Sequence, residues 1–159
     1  MGRSVSGSGY HNGMKSLRRN LLAAAVAAPA VMAASKKAST KKSHWKEGRP
    51  TDGKTPLYTP AITCNGFVFV SGTGKIDGGT IQEQTKWALD SIEANLKHVG
   101  SSMEKAVKCN VYLSDINNYG PMNETFRGRF GDNPPARTTL AVAAIPYGCL
   151  VEIEVMAEA

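Results

Sequence analysis

The chain has little of what metal or nucleophile chemistry draws on. Its 159 residues include three histidines and three cysteines. His11, His44 and His98 are scattered along the chain, so no ligand spacing or Ser-His arrangement emerges and no metal is expected. Cys64, Cys109 and Cys149 form no C-x-x-C pair, and an odd count leaves at least one thiol unpaired if the protein is exported. Cys109 alternates with polar residues in an apolar strand and is expected to be buried. The glycines at 72, 74, 78 and 79 are followed by no Gly-Lys-Ser/Thr and miss the G-x-G-x-x-G spacing, which excludes a phosphate loop and predicts a mobile loop beside a cleft. Aromatics make up only 7% of the residues, and past the N-terminal region no apolar run is long enough for a membrane span.

Charge is divided unevenly. The formal net charge of +6 comes from residues 1–49, with ten Lys/Arg against one acid, whereas residues 50–159 hold nine against twelve. A domain without clustered basic residues gives no Coulombic case for nucleic acid.

The N-terminal region reads as a leader. From Met14 a basic start runs through Arg18 and Arg19 into an apolar Ala/Val stretch that ends near Met32, with small residues at Ala33 and Ala34. This is the pattern of a secretory signal over residues 14–34, too short for a span, and the Arg18-Arg19-x-Leu-Leu arrangement resembles a twin-arginine signal. Export to the periplasm, or another extracytoplasmic space, is therefore expected. Residues 1–13, rich in Gly and Ser, read as an expression remnant or a misassigned start. Residues 35–50, with six basic side chains and no apolar periodicity, read as a flexible tether into a domain spanning 51–159.

The domain alternates the two periodicities. Leu57–Ile62 reads as a weak strand and Phe67–Val70 as a strong one, with Asn65-Gly66 as the hairpin turn between them. Thr80 and Glu83 form a capping box, after which Ile81, Ala88, Leu89, Ile92, Leu96 and Val99 recur at helical spacing until Gly100. Val107, Cys109, Val111 and Leu113 alternate as a third strand. Residues 115–130 predict a second helix with Met122, Phe126 and Phe130 on one stripe, and strands over 137–143 and 150–157 close the chain. The expected fold is α/β (α+β) in the order β-β-α-β-α-β-β, with both helices on one sheet face. The other face then needs a second copy of the chain, which would also create a dry cleft between subunits.

The candidate chemistry lies in residues 134–154. Pro134, Pro135, Ala136, Arg137, Thr138 and Thr139 are followed one strand later by Glu152, Ile153 and Glu154. A guanidinium presents a planar fork that grips a carboxylate through two parallel bonds, where a lysine offers a point charge. A carboxylate nearby can orient water, and the neighbours Leu150, Val151 and Ile153 predict that Glu152 is desolvated and suited to exchanging a proton. Glu154 lies on the same strand face, so alternation alone does not choose between the two acids, and a surface ion pair of Arg137 with Glu154 stays open.

Taken together, the strand from Gly66 to Gly72, the segment Asn123 to Phe126, the Pro135-Ala136-Arg137-Thr138 turn and the closing strand Val151 to Ala157 resemble the RidA/YjgF family of reactive-intermediate deaminases, over about residues 55–157. The resemblance implies a chorismate-mutase-like fold assembled as a homotrimer with sites between subunits, no cofactor, and hydrolysis of enamines and imines such as 2-aminoacrylate to 2-oxo acids and ammonia. It assigns Arg137 to the substrate carboxylate, Glu152 to the attacking water, Tyr58 and Asn123 to the pocket wall, and Thr139 to a position where many relatives carry cysteine and use the backbone N–H. Ser71 and Gly72 fall where the backbone approaches the ligand. Thr73 stands where several relatives have glutamine, and the Lys75–Gly79 loop is short, so the pocket rim is expected to differ. Two other duties compete: a homotrimer that binds small ligands or acts as a holdase through the same cleft without turnover, and an endoribonuclease, for which a basic face and a histidine pair are wanting.

Overall fold

The computed structural model describes Met1 and residues 40–159. The expected signal over 14–34, residues 2–13 and the beginning of the tether lie outside the described residues. Six strands form one sheet in the order β1-β2-β3-β6-β4-β5: β1 (Lys42–His44), β2 (Ala61–Cys64), β3 (Phe67–Thr73), β4 (Ala106–Leu113), β5 (Ala136–Ala141) and β6 (Val151–Glu158). Two helices, α1 (Ile81–His98) and α2 (Tyr119–Phe126), pack against one face. Only β4 and β5 run parallel, as the crossover through α2 requires. None of the helices among the described residues is long and apolar enough to cross a membrane.

Local chemistry explains the elements that the sequence announces. Asn65 and Gly66 both adopt positive φ (50° and 82°), the geometry of a two-residue hairpin turn, and β2 and β3 pair directly across them. The Thr80 hydroxyl accepts from the Glu83 N–H, while the Glu83 carboxylate accepts from the Thr80 N–H at 2.8 Å and is held below its ordinary pKa mainly by that backbone bond. Ile81, Ala88, Leu89, Ile92 and Leu96 form the buried stripe, and Gly100 at φ 82° closes the helix. Opposite them, β6 presents Val151, Ile153, Val155 and Ala157, all buried. Gln84 joins α1 to the sheet: buried itself, it accepts from the Leu150 N–H at 2.8 Å and so fixes the entry into β6.

Four boundaries differ from expectation, each for a physical reason. Strand β1 lies within the stretch expected to be a tether. Lys-Ser-His has no apolar alternation, and its order comes from pairing with the free edge of β2, from the His44 bond to Thr63 at 2.9 Å and from Thr40, which binds Asn65. The first predicted strand begins only at Ala61, leaving Leu57 and Tyr58 in the preceding loop. Val107 is exposed because a register shift between Ala106 and Lys108 turns it away, and Ala106 takes its place on the helix side. The second helix is shorter than its stripe. Residues 116–118 form a 3-10 turn and α2 stops at Phe126, yet Phe130 returns to the core and packs against Phe126 with ring centroids 5.0 Å apart.

The other sheet face has no helices. It carries Ile62, Phe69, Lys108, Asn110, Tyr112, Thr138, Leu140, Glu152, Glu154 and Met156, a mixture of half-buried polar groups and exposed apolar ones. An open face of this kind invites another protein surface.

Candidate active site

Register decides how Arg137 and Glu152 relate. On β5, Arg137 is the partner of Cys109 and Thr139 that of Val111. Cys109 and Val111 are core residues beneath the helices, so Arg137 and Thr139 stand on the helix side. On β6, Glu152 alternates with the buried Val151 and Ile153 and opposes Tyr112, which puts it on the open face. Strand β4 lies between the two. Within one chain the arginine and the glutamate are therefore on opposite faces of the sheet and belong to two separate half-sites. The aliphatic neighbours expected to desolvate Glu152 point to the other face.

The arginine half is built by α2. Tyr119, Asn123 and Phe126 follow one another at helical spacing and turn toward β5. The guanidinium carbon lies 4.6 Å from the Phe126 ring centroid and 5.9 Å from that of Tyr119, and one guanidinium nitrogen donates to the Tyr119 hydroxyl at 3.5 Å. Among the described residues no carboxylate pairs with it. Cation–π contact fixes such a group without consuming its charge or its remaining donors. It lines a cleft of about 530 Å³ with Asn123, Phe126 and the Gly128–Pro135 loop, so the predicted Asn123 and Arg137 are brought together. One step along β5, the Thr139 hydroxyl is buried without a hydrogen-bond partner, and Cys109 is buried with its thiol pushed up to about 12 chiefly by burial. The loop after α2 is tied to α1 by Arg129, which bridges Asp90 at 2.7 Å and Glu93 at 3.3 Å.

The glutamate half gathers at a bulge in β3. Pairing with β6 shifts by one residue between Val70 and Thr73, and Ser71 and Gly72 occupy the shift. Ser71 is spent locally: its N–H donates to Pro60 O at 3.0 Å and its hydroxyl to Thr59 O at 2.7 Å. At Gly72 a β-carbon would lie 2.2 Å from Glu152 Oε1 and 2.9 Å from its Cδ, so the carboxylate sits in the space a side chain would take. Tyr58, 67% exposed, borders a cavity of about 190 Å³ with Ser71, Gly72 and the α1 residues Trp87, Ser91 and Asn95, and Glu152 does not line it. The two acids of β6 now separate. Glu154 Oε1 accepts from Asn110 at 2.7 Å and from the Tyr112 hydroxyl at 3.2 Å, and Tyr112 is raised above its ordinary pKa by burial and by this acid. It is occupied and lies on the face away from Arg137, so the open question of an Arg137–Glu154 ion pair is answered against it. Among the described residues, no hydrogen bond or ion pair occupies Glu152.

Sequence reasoning missed Tyr119 and Phe126 as the seat of Arg137. The signal lies in their spacing about Asn123: the apolar stripe places Phe126 in the core alone, and Tyr119 carries no local mark of its own. The histidines are also less scattered than they read: His44 meets His98 edge-on, with centroids 6.3 Å apart, at the end of α1. There they hold the N-terminal arm, and one His44 nitrogen is already engaged by Thr63.

The sequence model of the family described as Endoribonuclease L-PSP matches residues 53–159. A RutC family protein of Pyrococcus abyssi is 39% identical over 107 residues, covering 63% of this chain and 84% of that relative. The 2-iminobutanoate/2-iminopropanoate deaminase of Rattus norvegicus is 36% identical over 107 residues, covering 63% of this chain and 78% of the enzyme. Among solved structures, a protein of unknown function from the conserved Rid protein family of Yersinia pestis superposes with a TM-score of 0.65 at 32% identity, covering 75% of this chain and 99% of its own. With its six-stranded sheet backed by two helices and its domain matched almost end to end, the chain belongs to the Endoribonuclease L-PSP family, the RidA/YjgF group.

Proposed function

We propose that the protein hydrolyses reactive 2-imino acids and their enamine tautomers to 2-oxo acids and ammonia, as a homotrimer whose sites lie between copies. One observation carries the reading: a guanidinium without an acid partner among the described residues, held by two aromatic rings at the rim of a cleft. Such a group has unused capacity for a carboxylate, and the rat relative is named for that reaction on small imino acids. Joining the two half-sites requires the Arg137 edge of one copy to meet the Glu152 face of the next, and the exposed apolar residues of that face favour such contact.

In the assembled site Arg137 pins the substrate carboxylate, and the Glu152 carboxylate takes a proton from water as its oxygen adds to C2. The C=N π electrons move to nitrogen, which takes that proton back from Glu152, and a carbinolamine forms. Its C–N bond then breaks as Glu152 passes the hydroxyl proton to the amine nitrogen, which leaves as ammonia, and the 2-oxo acid remains. The imine carbon is already electrophilic, so positioning supplies most of the acceleration. Asn123 and Tyr58 wall the site, Thr139 lies beside it and would act through its backbone N–H, and the Gly72 backbone lies against the reacting end. No cofactor enters these steps.

The test is direct. Imino acids generated in situ by an amino-acid oxidase are trapped with semicarbazide, and added protein should suppress semicarbazone formation in proportion to its concentration. An unchanged yield overturns the reading and would favour binding without turnover. The endoribonuclease description of the family finds less support here, because residues 50–159 carry more acids than bases.

Thr139→Val should raise stability by about 1 kcal/mol, because it removes a buried polar atom with no partner among the described residues, and should leave kcat/KM nearly unchanged, because the buried hydroxyl does not face the cleft. Thermal melting and the imine assay separate the two effects. Export through residues 14–34 belongs to the same proposal. Recovery of a periplasmic form whose N-terminus lies near residue 35 would support it, and a cytosolic form retaining Met14 would refute it.

A further inference from the structure

Residues 127–137 hold every arginine of residues 50–159: Arg127, Arg129 and Arg137. Arg129 bridges to α1, where Asp90 and Glu93 neutralise it. The other two line the cleft of about 530 Å³, and among the described residues neither forms an ion pair with a carboxylate. The acids nearest to Arg127 in sequence on either side, Glu124 and Asp132, are not in the wall. Residues 50–159 hold more acids than bases, yet no acid lines this cleft, so it is a cationic spot on an acidic domain. Phe126, Phe130, Pro134 and Pro135 make much of the remaining wall apolar. The backbone about Arg127 is fixed: its N–H donates to Asn123 O at 3.0 Å, the Arg129 N–H donates to Phe126 O at 3.2 Å, and the Arg129 bridges hold the loop that follows.

We propose that Arg127 determines specificity by taking a second carboxylate, so that the preferred substrates are the imines of acidic amino acids, 2-iminoglutarate and 2-iminosuccinate. The proposal rests on the imine-hydrolysis reading and names the substrate class of that same cleft. A single guanidinium serves a monocarboxylate; a second in the same wall, with no acid set against it, serves an anion that the ligand brings. Taken as a sphere the cleft is about 10 Å across, so a five-carbon dianion held at Arg137 reaches the part of the wall that Arg127 occupies. Its methylenes lie against the phenyl and proline surfaces between. Both carboxylates then bind the same copy, which keeps the second charge on the side of the seam away from Glu152.

The experiment compares kcat/KM for the imines of glutamate and norvaline, formed by amino-acid oxidases. The two have the same five carbons and differ only in a carboxylate against a methyl group at the far end. The wild-type protein should favour the glutamate imine by about tenfold, and by less as ionic strength rises, because Arg127 is exposed. Arg127→Gln should bring the ratio near one, and Arg127→Lys, which keeps the charge without the planar fork, should hold an intermediate value. A second readout avoids turnover. By calorimetry, 2-oxoglutarate should bind wild type about tenfold more tightly than 2-oxopentanoate, and the gap should close in Arg127→Gln. Equal kcat/KM for the two imines in wild type, or a preference for the glutamate imine that survives Arg127→Gln, overturns the role of Arg127 while leaving imine hydrolysis intact. Absence of hydrolysis with both imines overturns both readings.

Discussion

Arg137→Ala is expected to lower kcat/KM for every imino acid by about 30- to 1,000-fold, equivalent to about 2 to 4 kcal/mol of lost transition-state binding. The size follows from the setting. Among the described residues the guanidinium has no acid to release, so its removal takes away a carboxylate contact and leaves no buried partner charge behind. Stability should change little, because the side chain is only half-buried and stacks on Phe126 and Tyr119 at the rim of the cleft. Arg137→Lys separates charge from shape. An ammonium keeps the sign but not the planar fork or the flat stacking surface, so it should recover only a minor part of the rate. The check is the semicarbazide assay beside a melting curve. Equal rates in wild type and Arg137→Ala would remove this side chain from the chemistry.

Gly72→Ala is the second large effect and should act through position alone. The new methyl would meet Glu152 Oε1 at 2.2 Å, a distance no pair of such atoms tolerates, and the carboxylate is the mobile partner. Gly72 is not among the glycines with positive φ, so alanine strains no backbone there. The fold should therefore survive while Glu152 is pushed off its seat. Displacing a water-orienting group by about 1 Å costs on the order of 100-fold in rate. A loss in kcat at nearly constant melting temperature is the expected signature, and Gly72→Ala combined with Glu152→Gln should be scarcely slower than either variant alone, since both disable the same group. An unimpaired Gly72→Ala protein would show that Glu152 does not work from this position.

Helix α1 could be read from the chain because every local signal there agrees: the Thr80–Glu83 box, the apolar period and Gly100. The hairpin at Asn65-Gly66 was equally plain, since two adjacent residues at positive φ leave little choice of sequence. Strand β1 was hidden because its order is borrowed from a neighbouring edge and three polar residues carry no period. The end of α2 was hidden because Phe130 keeps the stripe after the helix has stopped. In the site, Arg137 and Glu152 were visible as residue types suited to a carboxylate and a water. Their placement on opposite faces needed the parallel register of β5 on β4, which no local pattern records. The choice between Glu152 and Glu154 likewise came from what each touches, since Asn110 and Tyr112 are remote in sequence.

If the proposed imine hydrolysis holds, the division of the two charged groups between the faces of a single sheet makes it a collective property. In a closed ring of three, a subunit without its arginine and a subunit without its glutamate are each inert among their own kind, yet any mixed ring contains one junction where the surviving members of both meet. Exchange between two dead populations would therefore regenerate turnover, and dilution that dissociates the ring would extinguish it.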